Sequence, residues 1–327
     1  MKVLVVTNMY PVEDMDYYGN FVKTEAKELA KIVDGLDVLF VNGRANKFHY
    51  LVGLFRYLLR YRAYDIVHFH HTYVAMYSLM GKPKKMVVTL HEGGNYFCKN
   101  SQLEIAYRHG RSRSLEWLLS LLKIRERILE RADRIILAFR TKEKIAWRGK
   151  EIFCIAPGID VDRFKGLSRV QARKILNIND ETTFLLFPHE PREEKNVHLF
   201  QSLVSHLETK GYQVKSQIGG AISFEEMPVY LKACDFFYIF SKFESSPMVA
   251  KEGLFCGSQL ISFDVGDIRY SFSDNPNCMI VRDLGEAVSE TIEMMKRPNG
   301  SDDDLSVSLE QATAKYSAAA IRKVYET

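Results

Sequence analysis

The chain has 327 residues, 46% of them apolar and 26% charged, a balance that fits a two-domain globular protein and excludes a disordered one. No apolar run approaches the roughly 20 residues that span a bilayer, and five scattered cysteines without a C-x-x-C pair argue against a zinc site or a disulfide framework. The net charge of +4 is split, +9 over residues 1–160 and −5 over the rest, so the front half is suited to an anionic partner.

The first residues, MKVLVVT, open directly on a continuous apolar run, the mark of a strand buried on both faces. They lack a signal peptide's cleavage site, and a cytoplasmic location is expected. A loop over 8–20 follows, then a helix over 21–33. Strand and helix alternate onward: strands at 37–42, 65–70 and 86–91, with a helix at 47–62. This alternation predicts a parallel sheet flanked by helices. The first turn has no G-x-G-x-x-G and the chain has no G-x-x-x-x-G-K-[ST], which argues against a nicotinamide dehydrogenase and a P-loop enzyme.

The 47–62 segment mixes Leu and Phe with Arg56, Arg60 and Arg62. Arg108, Arg111 and Arg113 precede a leucine-rich stretch carrying Trp117. Both segments read either as surface helices packed on the sheet or as basic, apolar faces for an anionic membrane. His68, His70 and His71 cluster on and after a strand, with His68 and His70 on one face. In the absence of an acidic neighbour in sequence, a hydrogen-bonding role is expected rather than a metal site. His91 ends a strand ahead of Glu92-Gly93-Gly94, and Gly19 closes the first loop, where its backbone can approach a ligand.

Strands follow at 134–139 and 152–155. Then Pro157-Gly158 breaks the chain, and Asp160-Val161-Asp162 reads as a structural part of that hinge. A second alternating series has strands at 184–188, 213–218, 235–240 and 259–263 and helices at 196–210, 225–233 and 247–256. The acidic run 301–304 reads as a loop before a last helix at 305–325.

Two stretches of the second half can carry chemistry. Residues 187–196, FPHEPREEKN, follow a strand. Ligands of open α/β sheets bind at strand carboxyl ends, where Arg192 and Lys195 suit a diphosphate. Residues 243–257 read FESSPMVAKEGLFCG. A serine cap and Pro247 predict a helix start, placing Glu244 in the loop before it and Glu252 about one and a half turns inside. The helix N-terminus between them favours phosphate, and the two acids could grip hydroxyls on either side, as in a nucleotide sugar. The same stretch also reads as an ordinary capped helix with two solvated acids.

Together these motifs resemble the retaining GT-B glycosyltransferases of family 4 (glycosyl transferases group 1). The resemblance rests on the two glutamates of FESSPMVAKE, the REEKN loop, PGIDVDRF, GGAISFEEMPVYLKACDFFYIFS, SQLISFDVGDIRY, DIVHFHHTY, VVTLHEGG and the Gly19-Asn20-Phe21-Val22 loop. The chain departs from the family pattern at Ser245, at His189-Glu190, and at Glu92.

The resemblance implies an α/β protein of the GT-B class, with two Rossmann-like parallel-sheet domains facing a cleft. An acceptor domain is expected over 1–157, a donor domain over 158–304, and a last helix over 305–327 that packs back on the first. It implies retaining, metal-independent transfer from a UDP- or GDP-type sugar to a glycan or lipid-linked hydroxyl in cell-envelope polysaccharide assembly. Glu244 and His91 would contact the transferred sugar, and Arg192 and Lys195 the leaving diphosphate. Glu252 would hold the ribose, with Ser246, Met248, Gly19 and Gly220 completing the donor site. No cofactor, metal or nucleic acid is expected. An anionic membrane at the inner face of the cell membrane is an expected partner through residues 47–62 and 108–125. The alternatives are an inactive nucleotide-sugar-binding protein and a sugar-nucleotide epimerase of the same fold.

Overall fold

The computed structural model describes residues 1–13, 15, 17–91, 123–296 and 307–327. They form two compact units, Met1–Gly158 with Ala314–Thr327, and Ile159–Thr313.

The first unit is built on a seven-stranded sheet of order β2-β1-β3-β4-β5-β7-β6. Its strands are β1 (Lys2–Thr7), β2 (Gly35–Phe40), β3 (Ile66–His70), β4 (Lys85–Leu90), β5 (Arg134–Leu137), β6 (Ile145–Trp147) and β7 (Lys150–Cys154). All pair in parallel except β6, which turns back against β7. Side chains alternate faces along a strand, and the core divides accordingly. Leu4, Val6, Val67, Phe69, Met86 and Val88 face one layer, which includes Tyr57 of α2 (His49–Arg60). Val3, Val5, Ile66 and Val87 face the other, where α1 (Asn20–Ala30) and the C-terminal helix supply Val22, Leu29, Ile321 and Val324. Both faces are covered, which is why the strands read as unbroken apolar runs.

The second unit carries a five-stranded parallel sheet of order β12-β11-β10-β8-β9. Its strands are β8 (Thr183–Phe187), β9 (Val214–Ile218), β10 (Phe236–Ile239), β11 (Gln259–Phe263) and β12 (Cys278–Val281). Phe184, Leu186, Phe237 and Ile239 pack with Ala250 and Leu254 of α4 (Met248–Phe255) on one face. Leu185, Phe187, Phe236 and Tyr238 pack with Phe200 and Leu203 of α3 (Val197–Thr209) on the other. The loops after β8, β9, β10 and β11 therefore gather at one edge, the carboxyl end of the sheet.

Several elements differ from the sequence expectation. Pro247 is the N-cap of α4 rather than its first residue, and no side chain caps that end. The strand expected at 152–155 is β7, whereas β6, the helices Arg169–Ile175 and Leu284–Met295, and β12 are not among the expected elements. The expected last helix is broken into Val307–Glu310 and α5 (Ala314–Glu326), and α5 belongs to the first unit and packs on α1. Residues 92–122 and 297–306, including the basic leucine-rich segment and the acidic run, lie outside the described residues.

Candidate donor-sugar site

In the second unit, the loop after β8 and the loop after β10 bring Lys195 and Glu244 together. Lys195 Nζ lies 2.5 Å from Glu244 Oε1, and Ser241 Oγ donates to the same oxygen at 2.7 Å. The pair is largely withdrawn from solvent. Burial alone would raise the Glu244 carboxyl, but Lys195, His189 and the two hydrogen bonds outweigh it and hold the group below its usual range. His189, which stands on the same loop as Lys195, is half-buried, and its Nε2 is withdrawn from solvent without a hydrogen-bond partner. Burial first, then the Lys195 charge, pushes its imidazole down to about 4, so it is neutral at ordinary pH.

Glu244 sits in the loop ahead of α4. The amides of a helix's first turn lack intrahelical partners, and Met248 opens that turn. The start of α4 is braced by a buried chain: Lys251 Nζ donates to Ser246 Oγ at 2.7 Å, and Ser246 Oγ donates to Asp267 Oδ2 at 2.8 Å. Ser246 is thus committed to holding the helix start. Glu252, one turn further on, has its Oε1 3.8 Å from Arg163 Nη1. Burial raises the Glu252 carboxyl, and the charges of Arg163 and Lys251 offset this only in part. Arg163 is itself fixed: Nη2 donates to Phe224 O at 2.6 Å, and the guanidinium lies 3.5 Å over the Phe224 ring. Gly220 follows β9; a Cβ there would stand 2.8 Å from the Pro191 ring, so the loops after β8 and β9 are in close contact.

Arg192 departs from this cluster. Its guanidinium pairs with Glu190 at 3.6 Å and Glu194 at 3.4 Å, and its side chain is 56% exposed. The structure therefore gathers Lys195, Glu244 and His189, and leaves Arg192 on the loop surface.

In the first unit, Gly19 is the N-cap of α1 at φ 71°, and a Cβ there would lie 2.3 Å from the Met9 carbonyl carbon. The turn requires glycine on both counts. Two residues on, Phe21 packs its ring 4.9 Å from that of His91, so the Gly19 loop and the end of β4 are neighbours. His91 Nε2 lies 3.0 Å from His70 Nδ1. The β3 histidines do have an acidic neighbour: Glu25 of α1, whose Oε1 is 3.3 Å from His70 Nε2. Glu25, His68 and His70 have ligand-type atoms within 4.8 Å of one another. However, both nitrogens of His68 already meet hydroxyls, Tyr325 at 2.7 Å and Thr89 at 2.6 Å. Sequence reasoning missed Glu25, Arg163 and His189 as site neighbours; only the positions of His189 beside Lys195 and of Arg163 in PGIDVDRF gave any signal.

Residues 2–163 match Glycosyltransferase Family 4. A comparison of the sequence with curated proteins found no match. Among solved structures, the chain is similar to sucrose-phosphate synthase from Thermosynechococcus elongatus, with a TM-score of 0.72 at 14% identity over 100% of this chain and 98% of that one. It is also similar to Anabaena HepE in complex with UDP-glucose (TM-score 0.64, 13% identity, 100% and 99% covered). A third similar structure is the catalytic domain of starch synthase IV from Arabidopsis thaliana bound to ADP and acarbose (TM-score 0.65, 13% identity, 99% and 98% covered). Residues 2–163 thus form a glycosyltransferase family 4 domain, and the chain as a whole has the GT-B fold of two Rossmann-like units.

Proposed function

We propose that the protein transfers a sugar from a UDP- or GDP-type nucleotide sugar to a hydroxyl of a glycan or lipid-linked acceptor, with retention and without a metal. The observation that carries this reading is the buried Lys195–Glu244 pair beside the start of α4. It supplies a cation and helix amides for a diphosphate and an acid for the transferred sugar. Lys195 neutralises the leaving phosphate, joined by Arg192 once it leaves Glu190 and Glu194. Glu252 accepts from the ribose hydroxyls, and the amides near Ser246, Met248 and Gly220 complete the donor contacts. His91 contacts the sugar and the Gly19 loop the phosphates. The bond from sugar C1 to the diphosphate oxygen breaks, and the acceptor oxygen bonds C1 on the same face. The hydroxyl proton passes to the leaving phosphate. The UDP-glucose and ADP in the titles of similar structures support this class of donor.

The test is thermal shift with UDP and GDP, followed by nucleotide release from a panel of nucleotide sugars with and without acceptors. Stabilisation and acceptor-dependent release are expected. Binding without release would assign a non-catalytic binder, and sugar interconversion without acceptor an epimerase.

We further propose that transfer occurs at an anionic membrane surface. Phe48, Leu51, Phe55 and Leu59 form an exposed stripe on α2, with Leu59 71% exposed, and Leu79 and Met80 are exposed beyond it. The opposite side of α2 is anchored by buried Gly53 and Tyr57. Lys47, Arg56, Arg62 and Lys82, close to these residues in sequence, are exposed as well. An apolar face with cations of the same segments exposed fits lipid chains below anionic headgroups. Among the described residues, no helix is long and apolar enough to cross a membrane.

A further inference from the structure

Three side chains from three elements form a line in the first unit. Glu25 comes from α1, His70 from the end of β3, and His91 from the residue after β4. Glu25 Oε1 is 3.3 Å from His70 Nε2, with side-chain exposures of 6% and 1%. His70 Nδ1 is 3.0 Å from His91 Nε2, and the two rings stack at 5.2 Å. We infer that Glu25 and His70 are positioning residues that fix which nitrogen of His91 carries its proton, leaving Nδ1 bare to accept a hydrogen bond from a substrate hydroxyl.

His70 Nε2 makes no hydrogen bond, and a carboxylate oxygen 3.3 Å away favours a proton on the nitrogen that faces it. With its proton on Nε2, the His70 ring has a bare Nδ1, which accepts from His91 Nε2–H across 3.0 Å. The remaining nitrogen of His91 is a lone pair. The same logic orients metal-bound and catalytic histidines, where a carboxylate behind the ring sets the tautomer. Burial, with His70 and His71 nearby, holds the His91 imidazole well below its ordinary range, so it stays neutral. His68, 4.3 Å from the His70 ring, is likewise held neutral by burial and by its neighbours. Its hydroxyl partners, Tyr325 and Thr89, satisfy either tautomer. Among the described residues of the cluster, Glu25 is the acid that gives the chain of protons a direction. The consequence for substrate rests on the reading of His91 as a sugar contact: this histidine recognises a donor hydroxyl rather than donating to an oxygen that lacks one.

The experiment uses the full chain, ligand-free, labelled with 15N-histidine. Long-range proton–nitrogen correlation near pH 7.5 reads each imidazole's tautomer, and His91→Gln and His70→Asn assign the signals. The expected result is one His91 tautomer protonated at Nε2. In Glu25→Gln, whose amide can donate as well as accept, the His91 nitrogens shift toward a mixture of tautomers, and Glu25→Asp moves them back toward the wild-type positions. Where Glu25→Gln does not fold, His70→Asn gives the same readout. A wild-type His91 protonated at Nδ1, a doubly protonated His70, or a His91 spectrum unchanged in folded Glu25→Gln or His70→Asn overturns the inference. The measurement needs no nucleotide, so its failure is distinct from a failure of UDP or GDP to bind.

Discussion

Lys195 and Glu244 are 49 residues apart in sequence and meet as a buried ion pair, each delivered by the loop that ends a neighbouring strand. The pair is compact because β8 and β10 are adjacent in the sheet while β9 lies at its edge. A folded scaffold therefore holds opposite charges in place before any ligand arrives, the arrangement that transition-state stabilisation requires.

Lys195→Ala leaves Glu244 buried beside Ser241 without its counter-charge. The expected stability loss is about 3–5 kcal/mol, and transfer falls by roughly 10²–10³. Lys195→Met with Glu244→Gln removes both charges and should recover much of the stability but none of the turnover. Urea denaturation alongside nucleotide release separates the two. Turnover in the double variant equal to wild type would remove the pair from the reaction.

Glu252 behaves oppositely to Glu244 with pH. The Glu244 carboxyl is lowered on folding, so its contribution is present above the ordinary glutamate range and is lost as pH falls through the lowered value. The Glu252 carboxyl is raised, so its ionisation is penalised in the folded state and stability declines as pH rises through the raised value. Glu252→Gln should therefore be as stable as wild type or more so at pH 7.5, with less advantage near pH 4. Nucleotide affinity should nevertheless fall about ten- to hundredfold, the worth of hydrogen bonds to a charged group. Denaturation at both pH values and UDP or GDP titration check this.

Gly19→Ala forces a side chain into a left-handed turn against the Met9 carbonyl carbon. A destabilisation of about 1–3 kcal/mol is expected, visible as a lowered Tm. Because Phe21 of the same turn packs on His91, the His91 signals should move as well. A Tm equal to wild type would mean that the turn yields without cost.

Replacing Leu51, Phe55 and Leu59 with Ser should leave the fold intact, since all three side chains are exposed. Sedimentation with phosphatidylglycerol vesicles should fall to background in this variant. Wild-type binding should weaken with salt as the exposed cations are screened. Equal partitioning of wild type to neutral and anionic vesicles would refute the membrane assignment.

The strands of both sheets were legible because burial on two faces demands continuous apolar runs, as in Val3–Val6 and Phe184–Phe187. The same logic put Lys195, Glu244 and Gly220 on strand-end loops. What sequence could not supply were relations set by packing. Glu25 reads as one of several acids on a helix, and only the docking of α1 against β3 turns it toward His70. Arg163 reads as part of a hinge, yet it folds over Phe224 to reach Glu252. Arg192 has the charge for a phosphate, but two nearer glutamates claim it. The start of α4 lies one residue beyond the expected one because Pro247 suits both the cap and the first turn, and its backbone is extended, at ψ 116°, rather than helical.

The last helix carries a consequence for synthesis. Ala318, Ile321, Val324 and Tyr325 of α5 pack with Val3, Val5, Ile66 and Val87, on a face of the first sheet that is translated well before them. The part of that surface that α1 leaves uncovered lacks its apolar partner while the entire second unit is translated, and His68 waits for its tyrosine partner over the same interval. The first unit is therefore completed only after the second has been made, because its covering helix lies on the far side of the second unit in the chain.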